Sequence, residues 1–111
     1  MVTGAPFDVE VSDEGDTVVI TVSGELDLAT APELREACSA AAHGSVGTVR
    51  IDLGGLTFLD SSGISVLVET QRDLEARGAA LVIHHMSDRT RRVLDVAGLS
   101  GFFTHSDQPT A

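Results

Sequence analysis

The chain has 111 residues, which is enough for one domain with a buried core but too few for separate cofactor and substrate domains. Seventeen acidic residues and seven basic ones, all arginine, give a formal net charge of −10, which argues against direct binding to nucleic acid or to an anionic membrane surface. No apolar run is long enough to span a bilayer and the N-terminus lacks the pattern of a signal peptide, so we expect a cytoplasmic protein.

The N-terminal part of the chain is predicted to form a β-hairpin followed by a helix. Residues 7–11 alternate apolar with acidic side chains, residues 17–22 are rich in β-branched side chains, and a turn-rich segment separates the two. Thr30 and Glu33 have the spacing of a capping box, and apolar residues at helical spacing follow them. We therefore predict the first helix over residues 31–42.

Strands and helices alternate in the rest of the chain. The strands are predicted from alternating or β-rich apolar residues, and the helices from apolar residues three and four apart between a capping residue and a glycine. These patterns predict a third strand at 49–53 that ends at Gly54–Gly55, a second helix at 61–77, a fourth strand at 80–84, a third helix between Ser87 and Gly98, and a short last strand at Phe102–Phe103.

This order of elements predicts an α/β fold. Strand-helix-strand units with short connections favour a mostly parallel central sheet, with the N-terminal strand as an antiparallel edge and with helices packed against the sheet. No internal repeat or linker divides the sequence. We expect a single domain over residues 1–111, with a core at about 7–103 and a frayed tail at 104–111.

The candidate functional residues lie at the carboxyl edge of the predicted parallel strands, where open α/β sheets place their binding sites. Three loops are predicted to meet at this edge, at residues 24–29, 54–60 and 85–86. The first loop carries two carboxylates, on Glu25 and Asp27. They fit either a solvated acidic loop or the recognition of basic or hydroxyl groups on a partner.

The second loop leads into the second predicted helix through the sequence Asp60-Ser61-Ser62-Gly63. Asp60 is placed to cap this helix, so Ser61 and Ser62 occupy the first two helical positions without a local structural role. Gly63 is unfavourable inside a helix by about 1 kcal/mol relative to alanine. We expect it to remove bulk beside Ser61, so that another protein's active site can approach the hydroxyl. The alternative is a polar helix start with no further role.

Catalytic, metal and cofactor sites are poorly supported. A metal site would have to combine Asp27 and Asp60 with His84 and His85, and adjacent residues on a strand point to opposite faces. Glycine-rich phosphate loops and the Walker lysine are missing. Ser61 is not on a G-x-S-x-G elbow, so a serine hydrolase that uses either histidine as its base is a minor alternative. We expect no catalytic residue, no metal and no cofactor.

Two other features have structural explanations. Cys38 lies on the apolar stripe of the first predicted helix and is expected to be a buried, unreactive thiol. Arg89, Arg91 and Arg92 form a basic cluster on the third predicted helix, and we interpret them as a solvated helix face.

Three separated segments carry a more specific combination of motifs: VITVSGELD at 19–27, FLDSSGI at 58–64 and RVLDVAGL at 92–99. In these segments, and in their order and separation from about Val9 to Phe103, the chain resembles the bacterial anti-sigma factor antagonists, which are single-domain STAS proteins. The resemblance implies a STAS-type domain without enzymatic activity. It also implies a role in transcription regulation through exchange of protein partners.

For the candidate site, the resemblance implies a phosphorylation switch. The phosphoacceptor of the family directly follows the aspartate, which places it at Ser61. The unphosphorylated antagonist binds an anti-sigma factor that is also a serine-protein kinase and so frees the sigma factor, and a PP2C-type phosphatase resets the cycle. The partner-binding residues are then expected to be Glu25, Asp27, Asp60, Ser62 and Gly63. The alternative is a STAS scaffold in a bacterial signalling assembly, in which Ser61 is not modified.

Overall fold

The strand-forming segments make one five-stranded sheet with the order β1-β2-β3-β4-β5. The computed structural model describes residues 6–99 and 101–105. Strand β1 pairs antiparallel with β2, and every other pairing is parallel, which confirms the predicted fold class. The elements are β1 (Asp8–Glu14), β2 (Thr17–Leu26), α1 (Ala31–Ala42), β3 (Thr48–Leu59), α2 (Ser61–Ala76), β4 (Ala80–Met86), α3 (Asp88–Val96) and β5 (Thr104–His105).

The core lies on one face of this sheet. Ile20, Ile51 and Ile83 are register partners on the three central strands and are completely buried. The neighbouring register row, which contains Arg50 and Val82, is only partly buried. Leu34 of α1, Leu67 of α2 and Leu94 of α3 belong to the same buried core cluster as these isoleucines. The opposite face therefore stays partly open.

Helices α1 and α2 provide the apolar cover of the core. Helix α1 has the predicted bounds and buries Leu34 and Cys38, while α2 buries Leu67 and Leu74. The predicted capping box at the start of α1 is wrong, because the Thr30 hydroxyl makes its hydrogen bonds within the preceding loop and not with the helix. None of the helices in the described part of the chain combines the length and apolar character that crossing a membrane requires.

Strands β3 and β4 are longer than predicted. The glycine pair Gly54–Gly55 does not end β3, which continues to Leu59 with a shifted register. A Cβ atom on Gly55 would lie 2.9 Å from the Cβ of Ser23, so a glycine is needed where the two strands approach closely. Most residues of the three predicted loops therefore belong to strands. Pairing with a neighbouring strand extends each strand through residues, such as glycine, that are typical of turns.

The predicted C-terminal strand is displaced by two residues. Phe103 is buried in the core and its ring packs edge to face on Phe102, with centroids 5.0 Å apart. Because the aromatic pair is used in packing, it is Thr104 and His105 that pair with β4 as β5. These two residues were predicted to be frayed, and that prediction is wrong; residues 106–111 lie outside the described part of the chain.

Cys38 is buried in α1, as predicted, with 1% of its surface exposed. Burial raises the pKa of its thiol from 9.0 to about 11, because the thiolate is poorly solvated there, and a hydrogen bond with Thr70 opposes the shift. The chain contains no tyrosine and no lysine. Cys38 is therefore the side chain whose ionisation is expected to dominate the pH range from 9 to 11.

We expect the protein to lose stability as the pH rises from 9 to 11. The unfolded thiol ionises near pH 9 and the folded thiol near pH 11, so the free energy of unfolding should fall by about 2 kcal/mol across this range. Urea unfolding at several pH values measures this loss. Cys38→Ala should be less stable at pH 8 but should lack the decline, and an equal decline in both proteins would contradict the prediction.

Candidate functional site

The candidate site is built on the first residues of α2. Asp60 has an extended backbone, with φ −121° and ψ −172°, and its Oδ1 accepts a hydrogen bond from the backbone N–H of Ser62 at 2.9 Å. Its carbonyl accepts from the N–H of Ile64 at 3.1 Å, which closes the first helical turn. The predicted capping role of Asp60 is confirmed.

The helix start is also tied to the end of β2. The backbone N–H of Asp60 donates to the carbonyl of Leu26 at 3.3 Å. Asp27 directly follows Leu26, and Ser61 directly follows Asp60. The bond therefore holds the loop at residues 24–29, here called the acidic loop, and the serine pair Ser61–Ser62 at the same edge of the sheet. The structure thus places the two predicted groups together.

Ser61 is exposed at the first position of α2. Its carbonyl accepts a hydrogen bond from the Ser65 hydroxyl at 2.9 Å, but its own hydroxyl bonds no other group within residues 6–99 and 101–105. Ser62 is partly buried. Of the two adjacent serines, Ser61 is therefore the more exposed to solvent.

The two carboxylates of the acidic loop differ in their surroundings. Asp27 is partly buried, and its Oδ1 accepts from the backbone N–H groups of Ala29 at 3.0 Å and Thr30 at 3.2 Å. The Thr30 hydroxyl completes the turn by donating to the Glu25 carbonyl at 2.8 Å. Asp27 therefore orders the loop in front of α1, whereas the Glu25 side chain is exposed.

Gly63 has a different role from the one predicted. It is buried, and a Cβ atom there would lie 2.6 Å from Leu26 Cδ2 and 2.7 Å from Leu59 Cδ1. The missing side chain leaves room for the core and does not expose Ser61, so the predicted reason for this glycine is wrong. Gly63 lets the first turn of α2 pack directly on the ends of β2 and β3.

The two adjacent histidines were predicted to diverge, and this is also wrong. The rings of His84 and His85 have their centroids 3.9 Å apart, and His85 Nδ1 lies 3.0 Å from Asp52 Oδ2. The reason is a left-handed backbone at His85, with φ 59°. No histidine in the described ranges is hydrogen-bonded to Ser61, so the pair that a serine hydrolase would need is not formed.

Two exposed apolar side chains beside the acidic loop were missed from the sequence. Leu28 is 78% exposed and follows Asp27, while Phe58 is 45% exposed and is the register partner of Glu25. Both fall in segments that were predicted to be loops. A large apolar residue in a predicted loop is the signal that could have identified them.

Comparison with known proteins shows the family. Residues 9–104 match the family model described as Mlab, STAS domain. The chain belongs to the STAS domain family. This STAS domain is 36% identical over 85 residues to the anti-sigma-B factor antagonist of Listeria monocytogenes. The aligned region covers 77% of this chain and 75% of the relative.

Solved structures of anti-sigma factor antagonists have the same fold. The crystal structure of one from Mycobacterium paratuberculosis matches with a TM-score of 0.83 and 30% identity, over 93% of this chain and 87% of the other. The unphosphorylated form of the anti-sigma factor antagonist SpoIIAA matches with a TM-score of 0.76 and 30% identity, over 93% of this chain and 90% of the other. The phosphorylated form of the Bacillus cell fate determinant SpoIIAA matches with a TM-score of 0.70 and 30% identity, over 93% of each chain. The resemblance to antagonists of this family is confirmed.

We expect Gly63→Ala to destabilise this STAS domain although alanine is the better helix former. Its methyl group would overpack the contact with Leu26 and Leu59, and the net loss in free energy of unfolding should be about 1–2 kcal/mol. Urea unfolding measures the change. Gly101→Ala is the matched control, because a Cβ there meets no atom within 4 Å, and it should change stability little. Equal stabilities of the two variants would contradict the packing role of Gly63.

Proposed function

We propose that this STAS domain is an anti-sigma factor antagonist whose unphosphorylated form binds an anti-sigma factor, and that phosphorylation of Ser61 abolishes this binding. In this proposal the anti-sigma factor is also the serine-protein kinase, its capture releases the sigma factor, and a PP2C-type phosphatase restores the unphosphorylated form. The antagonist itself catalyses no reaction. The observation that carries the proposal is the exposed Ser61 hydroxyl, which has no hydrogen-bond partner within residues 6–99 and 101–105 and follows a cap already made by Asp60.

The relatives support the same function. The Listeria relative and the Mycobacterium protein are both named as anti-sigma factor antagonists. SpoIIAA has been solved in an unphosphorylated and a phosphorylated form, and both share the fold of this chain. A phosphate is therefore compatible with this architecture in at least one protein of the same fold.

The position of Ser61 explains why the fold should tolerate a phosphate. The first turn of a helix has backbone N–H groups without helical partners, and its dipole favours negative charge. Asp60 uses the N–H of Ser62, so its cap does not depend on the Ser61 hydroxyl. A phosphate of about −1.5 to −2 charges can therefore be added without breaking a hydrogen bond that the described residues make.

The same charge is unfavourable in a complex. The surface that we propose for the partner contains the carboxylates of Glu25, Asp27 and Asp60, and the whole chain has a formal charge of −10. A partner that fits this surface presents basic or hydroxyl groups and excludes water from the carboxylates. A dianion added there should reduce affinity on the order of a hundredfold, which corresponds to about 3 kcal/mol.

The rest of the proposed surface has two parts. Ser62 and Gly63 continue the first turn of α2, where Gly63 acts through the packing that holds the turn and not through a direct side-chain contact. Leu28 and Phe58 offer exposed apolar area next to the acidic loop. A docking surface with an apolar centre and charged surroundings is typical of specific protein interfaces.

Incubation with ATP and the cognate anti-sigma factor should add one phosphate to the protein. We expect Ser61→Ala to accept none, because it lacks the exposed hydroxyl at the start of α2. Ser65→Ala is the matched control, because Ser65 is another exposed serine on α2 that is not among the proposed partner-binding residues, and it should be labelled like the wild type. Intact-mass spectrometry measures the stoichiometry, and labelling of Ser61→Ala at the wild-type level would show that the acceptor is another residue.

The affinity of the two forms separates the switch from the scaffold alternative. The purified phosphorylated protein should bind the anti-sigma factor on the order of a hundredfold more weakly than the unphosphorylated protein in calorimetric titrations. Equal affinities would mean that the domain is a constitutive scaffold component and would reject the switch.

Replacing the exposed apolar residues should weaken the complex without unfolding the domain. We expect Leu28→Ser and Phe58→Ser each to reduce affinity for the anti-sigma factor about tenfold, because each removes exposed apolar area next to Glu25 or Asp27. Val96→Ser is the control, since Val96 is 84% exposed and lies on α3. If Val96→Ser weakens binding as much as the other two variants, the proposed surface is wrong.

A further inference from the structure

An aspartate and a histidine, two residue types that commonly bind metal ions, lie next to each other on the partly open face of the sheet. Asp52 on β3 and His84 on β4 are register partners in a parallel pair. Their neighbours Ile51 and Ile83 are also register partners and are completely buried. Since side chains alternate along a strand, Asp52 and His84 project from the opposite face, and both are partly exposed.

A local irregularity adds His85 to this pair. The register passes from Asp52–His84 directly to Leu53–Met86, so His85 is an extra residue on β4. Its φ of 59° is in the left-handed region, and its ring therefore lies beside that of His84 with the centroids 3.9 Å apart. The three side chains form one cluster at the surface, with the His85 side chain 59% exposed and the Asp52 side chain 25% exposed.

The donor atoms of the cluster are close enough to share an ion. Asp52 Oδ1 accepts from the Gly54 N–H at 2.9 Å, and Oδ2 lies 3.0 Å from His85 Nδ1. One ligand atom from each of the three residues can be chosen so that all lie within 4.8 Å of one another. In a tetrahedral zinc site with bonds of about 2.0–2.1 Å, the ligand atoms are about 3.4 Å apart. Small side-chain rotations are therefore sufficient to reach that spacing.

We propose that Asp52, His84 and His85 bind a divalent transition-metal ion, with Zn²⁺ as the ion that fits best. Two imidazole nitrogens and one carboxylate oxygen are a donor set that zinc accepts, with the remaining position left for water or for a ligand from another molecule. The Gly54 N–H orients the carboxylate, as groups behind metal ligands commonly do. The negative net charge of the chain favours a cation. The site contains none of the residues proposed to contact the anti-sigma factor.

Calorimetric titration of the untagged full-length protein with Zn²⁺ tests the site. We expect one ion per chain with a dissociation constant in the micromolar range, and no competition from an equal concentration of Mg²⁺, which prefers oxygen ligands. Asp52→Asn keeps an acceptor for the Gly54 N–H, and His85→Asn keeps a residue that tolerates left-handed backbone. Each variant should bind Zn²⁺ at least about tenfold more weakly.

His43→Ala is the matched control, because His43 is an exposed histidine at the end of α1 and lies outside the cluster. It should bind Zn²⁺ like the wild type. The proposal is overturned if the wild type binds Zn²⁺ no more tightly than His85→Asn, or if His43→Ala weakens binding as much as the cluster variants.

A measurement on the wild type alone keeps the test independent of folding in the variants. In NMR spectra, substoichiometric Zn²⁺ should shift or broaden the imidazole signals of His84 and His85 and leave those of His43 unchanged. Changes confined to other histidines would reject the site. Ser61→Ala should bind Zn²⁺ normally, so failure of the metal site and failure of the phosphorylation switch are observed separately.

Discussion

The backbone hydrogen bond between Asp60 and Leu26 determines the geometry of the candidate site. It holds the start of α2 against the end of β2, where the acidic loop begins. Asp60 then caps the helix through its side chain, so the next residue, Ser61, is placed in the first turn with its hydroxyl toward solvent. The bond continues the pairing of β2 with β3, in which Glu25 faces Phe58 and Leu26 faces Leu59, by one residue past the end of β3.

The residues around Ser61 are held in place by their own backbone contacts. Asp27 and Asp60 each accept hydrogen bonds from neighbouring N–H groups, and these bonds orient both carboxylates. Gly63 packs the first turn on Leu26 and Leu59. A site built in this way is suited to a switch that acts through charge, because a phosphate on an exposed hydroxyl alters the surface potential and leaves the packing below it unchanged.

The fold could be predicted from the sequence because its apolar patterns are regular. The bounds of α1 are those that the sequence predicted, and Asp60 caps α2 as its position indicated. The ends of β3 and β4 could not be predicted in the same way. A pair of glycines such as Gly54–Gly55 usually indicates a turn. Here Gly55 lies inside the strand, because the neighbouring strand approaches it closely at Ser23.

The parts of the site that were missed depend on tertiary contacts. Gly63 was expected to remove bulk beside Ser61, because a sequence does not show which face of a helical turn meets the core. His84 and His85 were expected to diverge because strand alternation was assumed, and a single left-handed residue reverses that expectation. Leu28 and Phe58 are apolar residues at an edge whose strands proved longer than predicted.

In our proposal, a phosphate on Ser61 acts at the surface and does not alter the fold. Backbone amide NMR spectra of the phosphorylated and unphosphorylated protein test it most directly. We predict chemical-shift changes confined to the first turn of α2 and the neighbouring acidic loop, with amide exchange in β2, β3 and β4 unchanged. Loss of exchange protection across these strands on phosphorylation would contradict it.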